Sequence, residues 1–143
     1  MKALIIATLL ALVSLPALAD TDIGVSAQET YAKLGQGEAK LLFIDVRDPV
    51  EIMFVGFTDA VDINIPYLLV DRTTWDDERG SYKVAQNPRF IEEVRAALKE
   101  RGLSTDAEII TMCRSGSERG KPSADFLRAN GFPNARYVID GFQ

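Results

Sequence analysis

Two nearly continuous apolar runs, "KLLFIDV" (residues 40–46) and "AEIITM" (residues 107–112), constrain this chain more than anything else in it. Each is too short for a core helix and closes in charged or small residues, so each is read as a buried strand. A strand that is apolar on both faces has to be covered on both, which calls for a parallel sheet between two layers of helices. "ARYVID" (135–140) has the same character. "AVDINIP" (60–66) alternates Val61, Ile63 and Ile65 with polar residues, as a further strand does.

Helical signals separate these strands. Ser26 and Glu29 form a capping box that opens a short helix to about Leu34, stopped by Gly35 and Gly37. Asp48-Pro49 ends the strand before it and begins another short helix. In "NPRFIEEVRAALKERG", Asn87 is the expected cap, Pro88 the first turn and Gly102 the stop, with Phe90, Ile91, Val94, Ala97 and Leu98 on one face. "KPSADFLRANGF" places Pro122 near a helix start and Gly131 at its end. Residues 67–86, "YLLVDRTTWDDERGSYKVAQ", show no clear period and are expected to form a long loop with a short helical turn. The alternation predicts an α/β fold, a single three-layer domain with a mostly parallel sheet flanked by helices.

The N-terminal segment sets the expected compartment. Residues 1–19 carry Lys2, an apolar run from Ala3 to Val13, Pro16, and the small-residue pattern Ala17-Leu18-Ala19. That is the pattern of a secretory signal peptide cleaved after Ala19, so the protein is expected to be exported, periplasmic or extracellular. The run is short of the roughly 20 residues a spanning helix needs, and no stable membrane span is expected after cleavage. Residues 20–143 then form the domain. Cleavage removes Lys2 and no acid, taking the formal net charge from −5 to −6. An acidic chain without a basic stripe argues against nucleic acid as a partner.

Export makes the cysteine count informative, because Cys113 is the only one. It has no partner for an intrachain disulfide, and a leftover Cys in an exported protein points to a reactive thiol or to intermolecular pairing. A buried Cys acting as a small hydrophobe is the plainer alternative. Position favours reactivity: Cys113 stands where a strand ends, and ligands in parallel α/β sheets bind beyond the carboxyl ends of the strands.

The segment that follows is Arg114, Ser115, Gly116, Ser117, Glu118 and Arg119. A loop running from a strand into a helix N-terminus can turn successive backbone N–H groups into one concavity that binds anions. Gly116 and Gly120 relieve the backbone where the loop curls and meets the helix. A thiol at the centre of such a cradle sits in partial positive charge, to which Arg114 and Arg119 would add full charges, and this favours a solvent-reachable thiolate. Such a nucleophile suits attack on a thiosulfonate, a phosphate or an arsenate. Cys113 is thus the catalytic candidate, and residues 114–119 are the substrate-binding candidates. No metal or cofactor is expected.

"LFIDVRDPVEIMFVGF", "IITMCRSGSERG" and "ARYVIDGF", in this order, resemble a single-domain rhodanese. The resemblance covers nearly all of residues 20–143. It includes Asp45-Val46-Arg47 at a strand end, the acidic Glu51 after it, the Cys-Arg-Ser-Gly loop start, and Asp140-Gly141-Phe142. It implies a sulfurtransferase whose cysteine takes sulfane sulfur from a donor such as thiosulfate, becomes a persulfide, and passes the sulfur to cyanide, a thiol or a protein acceptor. Asp45 and Arg47 are then expected to support the loop through a buried ion pair. The family's Gly-His-Ile-Pro-Gly-Ala stretch is replaced by "GFTDAVDINIP", and the chain has no His.

The loop also departs from the usual sulfurtransferase spacing. Arg119 follows Cys113 by six positions, giving a C-x5-R loop that resembles rhodanese-fold phosphatases and arsenate reductases. One extra residue is expected to widen the cradle enough for a tetrahedral oxyanion forked by Arg119. That reading needs a general acid, for which Glu118, Asp76 and Asp77 are the candidates, though solvated surface charge accounts for each. Tyr67 and Trp75 are candidates to roof the site, with packing as the alternative. A non-catalytic rhodanese-like module that binds a partner or an anion is the third reading.

Overall fold

The computed structural model describes residues 23–35 and 40–143. The expected signal peptide and the Gly37 helix stop lie outside the described residues. Five strands, β1 (Gly24–Val25), β2 (Leu41–Asp45), β3 (Ile63–Asn64), β6 (Glu108–Met112) and β7 (Ala135–Val138), form one sheet in the order β1-β7-β6-β2-β3. All four pairings within it are parallel. Every residue of β2 is buried, as its unbroken apolar run requires.

Successive side chains of a strand face opposite sides, and the core divides accordingly. On one face Leu42, Ile44 and Ile109 pack against Phe90, Val94, Ala97 and Leu98 of α3 (Phe90–Glu100) and Ala124 and Leu127 of α4 (Gly120–Ala129). On the other, Leu41, Phe43, Ile110 and Met112 pack with Val25, Val138 and Leu34 of α1 (Ala27–Leu34). The chain is therefore the three-layer α/β domain that its alternation of elements predicts, with a fourth helix, α2 (Pro49–Val55), beyond the end of β2.

Local chemistry explains where the short helices begin. The Ser26 hydroxyl accepts the Glu29 N–H at 3.0 Å at the start of α1, and the Asp48 carboxylate accepts the Val50 N–H at 2.9 Å at the start of α2. Helix α3 starts later than its sequence suggests. Asn87 is not its cap: it braces a turn, accepting from Arg89 N–H at 3.0 Å and donating to the Pro66 carbonyl at 3.0 Å, and the helix opens at Phe90.

Residues 67–86 are the main correction to the sequence reading. They form an antiparallel hairpin of β4 (Leu68–Asp76) and β5 (Ser81–Gln86), not a loop with a helical turn. A register shift between Asp71 and Trp75 interrupts the period-2 pattern, which hides the first strand. Asp76 caps the connecting turn by accepting from the Glu78 and Arg79 N–H groups, both at 3.1 Å. Trp75 meets its cross-strand neighbour Tyr82 edge to face at 5.3 Å, and both are largely exposed. Trp75→Ala should therefore cost no more than about 1.5 kcal/mol. Denaturant titration should show that small loss.

Candidate active site

Cys113 follows β6 directly, and β6 lies in the sheet between β7 and β2. Asp45 is in register with Met112, so the end of β2 comes alongside the residue preceding the cysteine. The Val46 N–H continues the pairing by donating to the Met112 carbonyl at 2.9 Å. Cys113 and the Asp45–Arg47 strand end, 66 residues apart in sequence for Arg47 and Cys113, thus share the carboxyl edge of the sheet.

The loop from Cys113 to Arg119 delivers the chain into the N-terminus of α4. The Cys113 Sγ accepts the Gly120 N–H at 3.2 Å. Thr111 and Ser123 hydroxyls both donate to the Gly120 carbonyl, at 3.0 and 2.8 Å, and so fix the residue that touches the sulfur. The Lys121 N–H closes the loop onto the Gly116 carbonyl at 2.9 Å. Among the described residues, the backbone N–H groups of Arg114 through Arg119 donate to no acceptor in the chain. Those donors are available to an anion.

One expectation about the thiol is corrected here. Cys113 is fully buried, not solvent-reachable. Its cover comes partly from the residues after β7. Gly116 has φ 78°, and a Cβ on it would lie 1.9 Å from the Ile139 carbonyl oxygen. At Gly141, with φ 65°, a Cβ would lie 2.4 Å from the Cys113 carbonyl oxygen. The Phe142 N–H donates to the Cys113 carbonyl at 2.8 Å, and the Gln143 N–H donates to the Arg114 carbonyl at 3.2 Å. Residues 139–143 therefore strap the loop down, and no motif within the loop announces it.

The remaining loop side chains diverge. Arg114 is exposed, with its Nε donating to Gln143 Oε1 at 2.6 Å. Ser115 and Ser117 share a hydrogen bond of 3.2 Å between their hydroxyls, and Glu118 is exposed. Arg119 turns to α2: its Nη1 donates to Glu51 Oε2 at 2.6 Å and its Nη2 to Glu51 Oε1 at 3.2 Å. Burial opposes the Arg119 charge. Hydrogen bonding and Coulomb attraction to Glu51, with Coulomb attraction to Cys113 and Glu118, outweigh it and raise the guanidinium above its ordinary value.

Behind the loop, Asp45 and Arg47 form a buried ion pair. Arg47 Nε and Nη2 donate to the carboxylate at 3.0 and 2.6 Å, and Nη2 also reaches the Gly56 carbonyl at 3.0 Å. The guanidinium lies over the Phe142 ring at 4.2 Å. Arg47 thereby ties the end of β2 to both the end of α2 and the strap. Tyr67 packs against Phe90 and Phe126 in the core, at 5.2 and 6.0 Å, and Trp75 packs on Tyr82 in the hairpin. Burial and then the Asp125 charge push the Tyr67 hydroxyl above its ordinary value. Among the described residues no cluster of His, Cys, Asp and Glu is placed to hold a metal ion.

A parallel α/β sheet thus carries a lone cysteine at the carboxyl end of an inner strand, leading into a helix N-terminus through a loop whose amides have no acceptor among the described residues. The model of the rhodanese-like domain matches residues 26–143, and the chain belongs to that family. A rhodanese-related protein from Thermoplasma volcanium is 25% identical, with 84% of this chain and 86% of that one covered and a TM-score of 0.49. An uncharacterized protein from Saccharomyces cerevisiae is 21% identical over 83% of this chain and 86% of its own, with a TM-score of 0.51. No curated protein matches the chain.

Proposed function

We propose that this protein is a sulfurtransferase that works through a persulfide on Cys113. The observation that carries the reading is the setting of the sulfur. It accepts the Gly120 N–H at the start of α4, in a loop whose other amides have no acceptor among the described residues. Helix-terminal amides stabilise a thiolate, and after sulfur uptake the same donors can hold the persulfide anion.

The transfer is a displacement at sulfur. The Cys113 thiolate attacks the sulfane sulfur of the donor, an Sγ–S bond forms, and the donor's S–S bond breaks with its electron pair leaving on the departing group. That group is sulfite when thiosulfate is the donor. A thiol or cyanide then attacks the outer sulfur and restores the thiolate. Because Cys113 is covered, the donor has to displace part of the rim. The sequence pattern of residues 1–19 supports export, and a protein acceptor in that compartment is part of this proposal.

The test is intact-mass measurement after exposure to sulfane donors. One added sulfur is expected on the protein and none on Cys113→Ser, and cyanide should remove it as thiocyanate. No uptake from thiosulfate or from a persulfide would refute the reading. Turnover of an aryl phosphate by the same preparation would instead support the phosphatase.

A further inference from the structure

We propose that Glu51 makes this site reject tetrahedral dianions, so that its sulfur donor is a persulfide of low charge and not thiosulfate. The proposal rests on the sulfur-transfer reading and names its substrate class. A guanidinium recognises a tetrahedral oxyanion by presenting two N–H groups along one edge. Both terminal nitrogens of Arg119 are already directed at the two Glu51 oxygens, at 2.6 and 3.2 Å. Its Nε is buried and, among the described residues, without a partner, so no solvent-facing edge of the guanidinium is open.

The charge count points the same way. Arg114 and Arg119 bring two positive charges to the mouth, and Glu118 and Glu51 bring two negative ones. The cradle is left with its amide dipoles and no net charge from side chains. An incoming dianion must therefore break a largely buried ion pair or approach the Glu51 carboxylate, and either raises its cost relative to a donor of lower charge. Thiosulfate carries the same tetrahedral oxyanion geometry as sulfate and is subject to the same exclusion.

The helix that carries Glu51 is otherwise apolar on its exposed side. Phe54 and Val55 follow Glu51 by three and four positions on α2, the spacing that places side chains on one helix face. Phe54 is 81% exposed, with Met53 at 72% and Phe57 at 69% beside it. The carbon portion of an organic persulfide has a surface to lie on there. In that reaction the Cys113 thiolate takes the outer sulfur of R–S–SH, giving Cys113–S–SH and RS⁻. The new S–S bond replaces the old one and no external oxidant or reductant is required.

The experiment compares sulfur loading of Cys113 by thiosulfate and by N-acetylcysteamine persulfide, a donor with at most one negative charge and no tetrahedral oxyanion, in the wild type, Glu51→Gln and Glu51→Asp. Wild type should load faster from the persulfide. Glu51→Gln should move the thiosulfate-to-persulfide rate ratio by about tenfold or more toward thiosulfate, and Glu51→Asp, which keeps the charge, should restore the wild-type ratio. In parallel, millimolar inorganic phosphate should protect Cys113 from iodoacetamide in Glu51→Gln but not in the wild type. Thermal melts establish that each variant is folded. Preference for thiosulfate in the wild type overturns the donor assignment. An unchanged ratio, with phosphate protection equal in wild type and Glu51→Gln, overturns the role of Glu51. Loading by neither donor refutes sulfur transfer itself, and the phosphate measurement still decides whether Glu51 excludes oxyanions.

Discussion

Gly116→Ala is expected to lower the melting temperature by about 10 °C or more and to reduce sulfur loading of Cys113 at least a hundredfold. Two separate costs combine at this position. The backbone has φ 78°, where a side chain costs roughly 1–2 kcal/mol. The added Cβ would also fall 1.9 Å from the Ile139 carbonyl oxygen and 2.6 Å from its carbon. Those are backbone atoms of the residue that follows β7, so no side-chain rotation relieves the overlap, and crowding of this kind costs about 1–3 kcal/mol. About 3 kcal/mol in total is a large share of a typical stability of 5–15 kcal/mol, and about 10 °C follows from the usual entropy of unfolding. The loop has to lift away from residues 138 and 139, which exposes Cys113 while dispersing the amides around it. Iodoacetamide labelling should accordingly speed up as sulfur loading falls, and because unfolding would expose the buried thiol in the same way, both are measured well below the variant's melting temperature. Gly80→Ala is the control, since Gly80 has φ 62° but nothing within 4 Å of the place an added Cβ would take. It should lose only the backbone cost. Equal melting temperatures for the two variants would show that the contact with Ile139 is not what fixes the loop.

The sheet and most helices were legible because each rests on a local signal. The apolar runs mark β2 and β6, the Ser26 and Asp48 caps mark α1 and α2, and Cys113 falls at the end of its strand as the run predicts. The hairpin was hidden for a physical reason. Its strands are only half covered, and the shift between Asp71 and Trp75 breaks the alternation that a strand pattern depends on. The β-favouring Val70, Thr73, Thr74, Trp75, Tyr82 and Val84, with Gly80 at the turn, were the signal available. Within the site, the spacing of the loop residues could be read, but their engagements could not. Glu51 meets Arg119 across 68 positions, and Gln143 meets Arg114 across 29. A C-x5-R spacing suggests an arginine aimed at an oxyanion, and only the folded chain reveals the carboxylate that holds it.

Asp45→Asn is expected to destabilise the protein by about 3–5 kcal/mol, the range for removing one partner of a buried ion pair. The side chains of Arg47 and Asp45 are 0% and 2% exposed, so the guanidinium that remains has no water to replace the lost carboxylate. Its other contacts, the Gly56 carbonyl and the Phe142 ring, do not neutralise it, and Nη1 already has no partner among the described residues. Adding Arg47→Met should recover much of the loss, because the cation is then gone. The amide oxygen of the new Asn can still accept the residue 47 backbone N–H that Asp45 accepts at 3.0 Å. Non-additivity of this kind is what a double-mutant cycle measures for groups in contact. Sulfur loading should not recover with stability. Methionine cannot donate to Gly56 or hold its charge over Phe142, so the end of α2 and the strap that bonds to the Cys113 and Arg114 carbonyls lose their common anchor. Denaturant midpoints and loading rates measured on both variants separate the two roles. Recovery of both would make the pair a matter of folding alone, whereas a stable double variant with slow loading would establish Arg47 as a positioning residue for the cysteine loop.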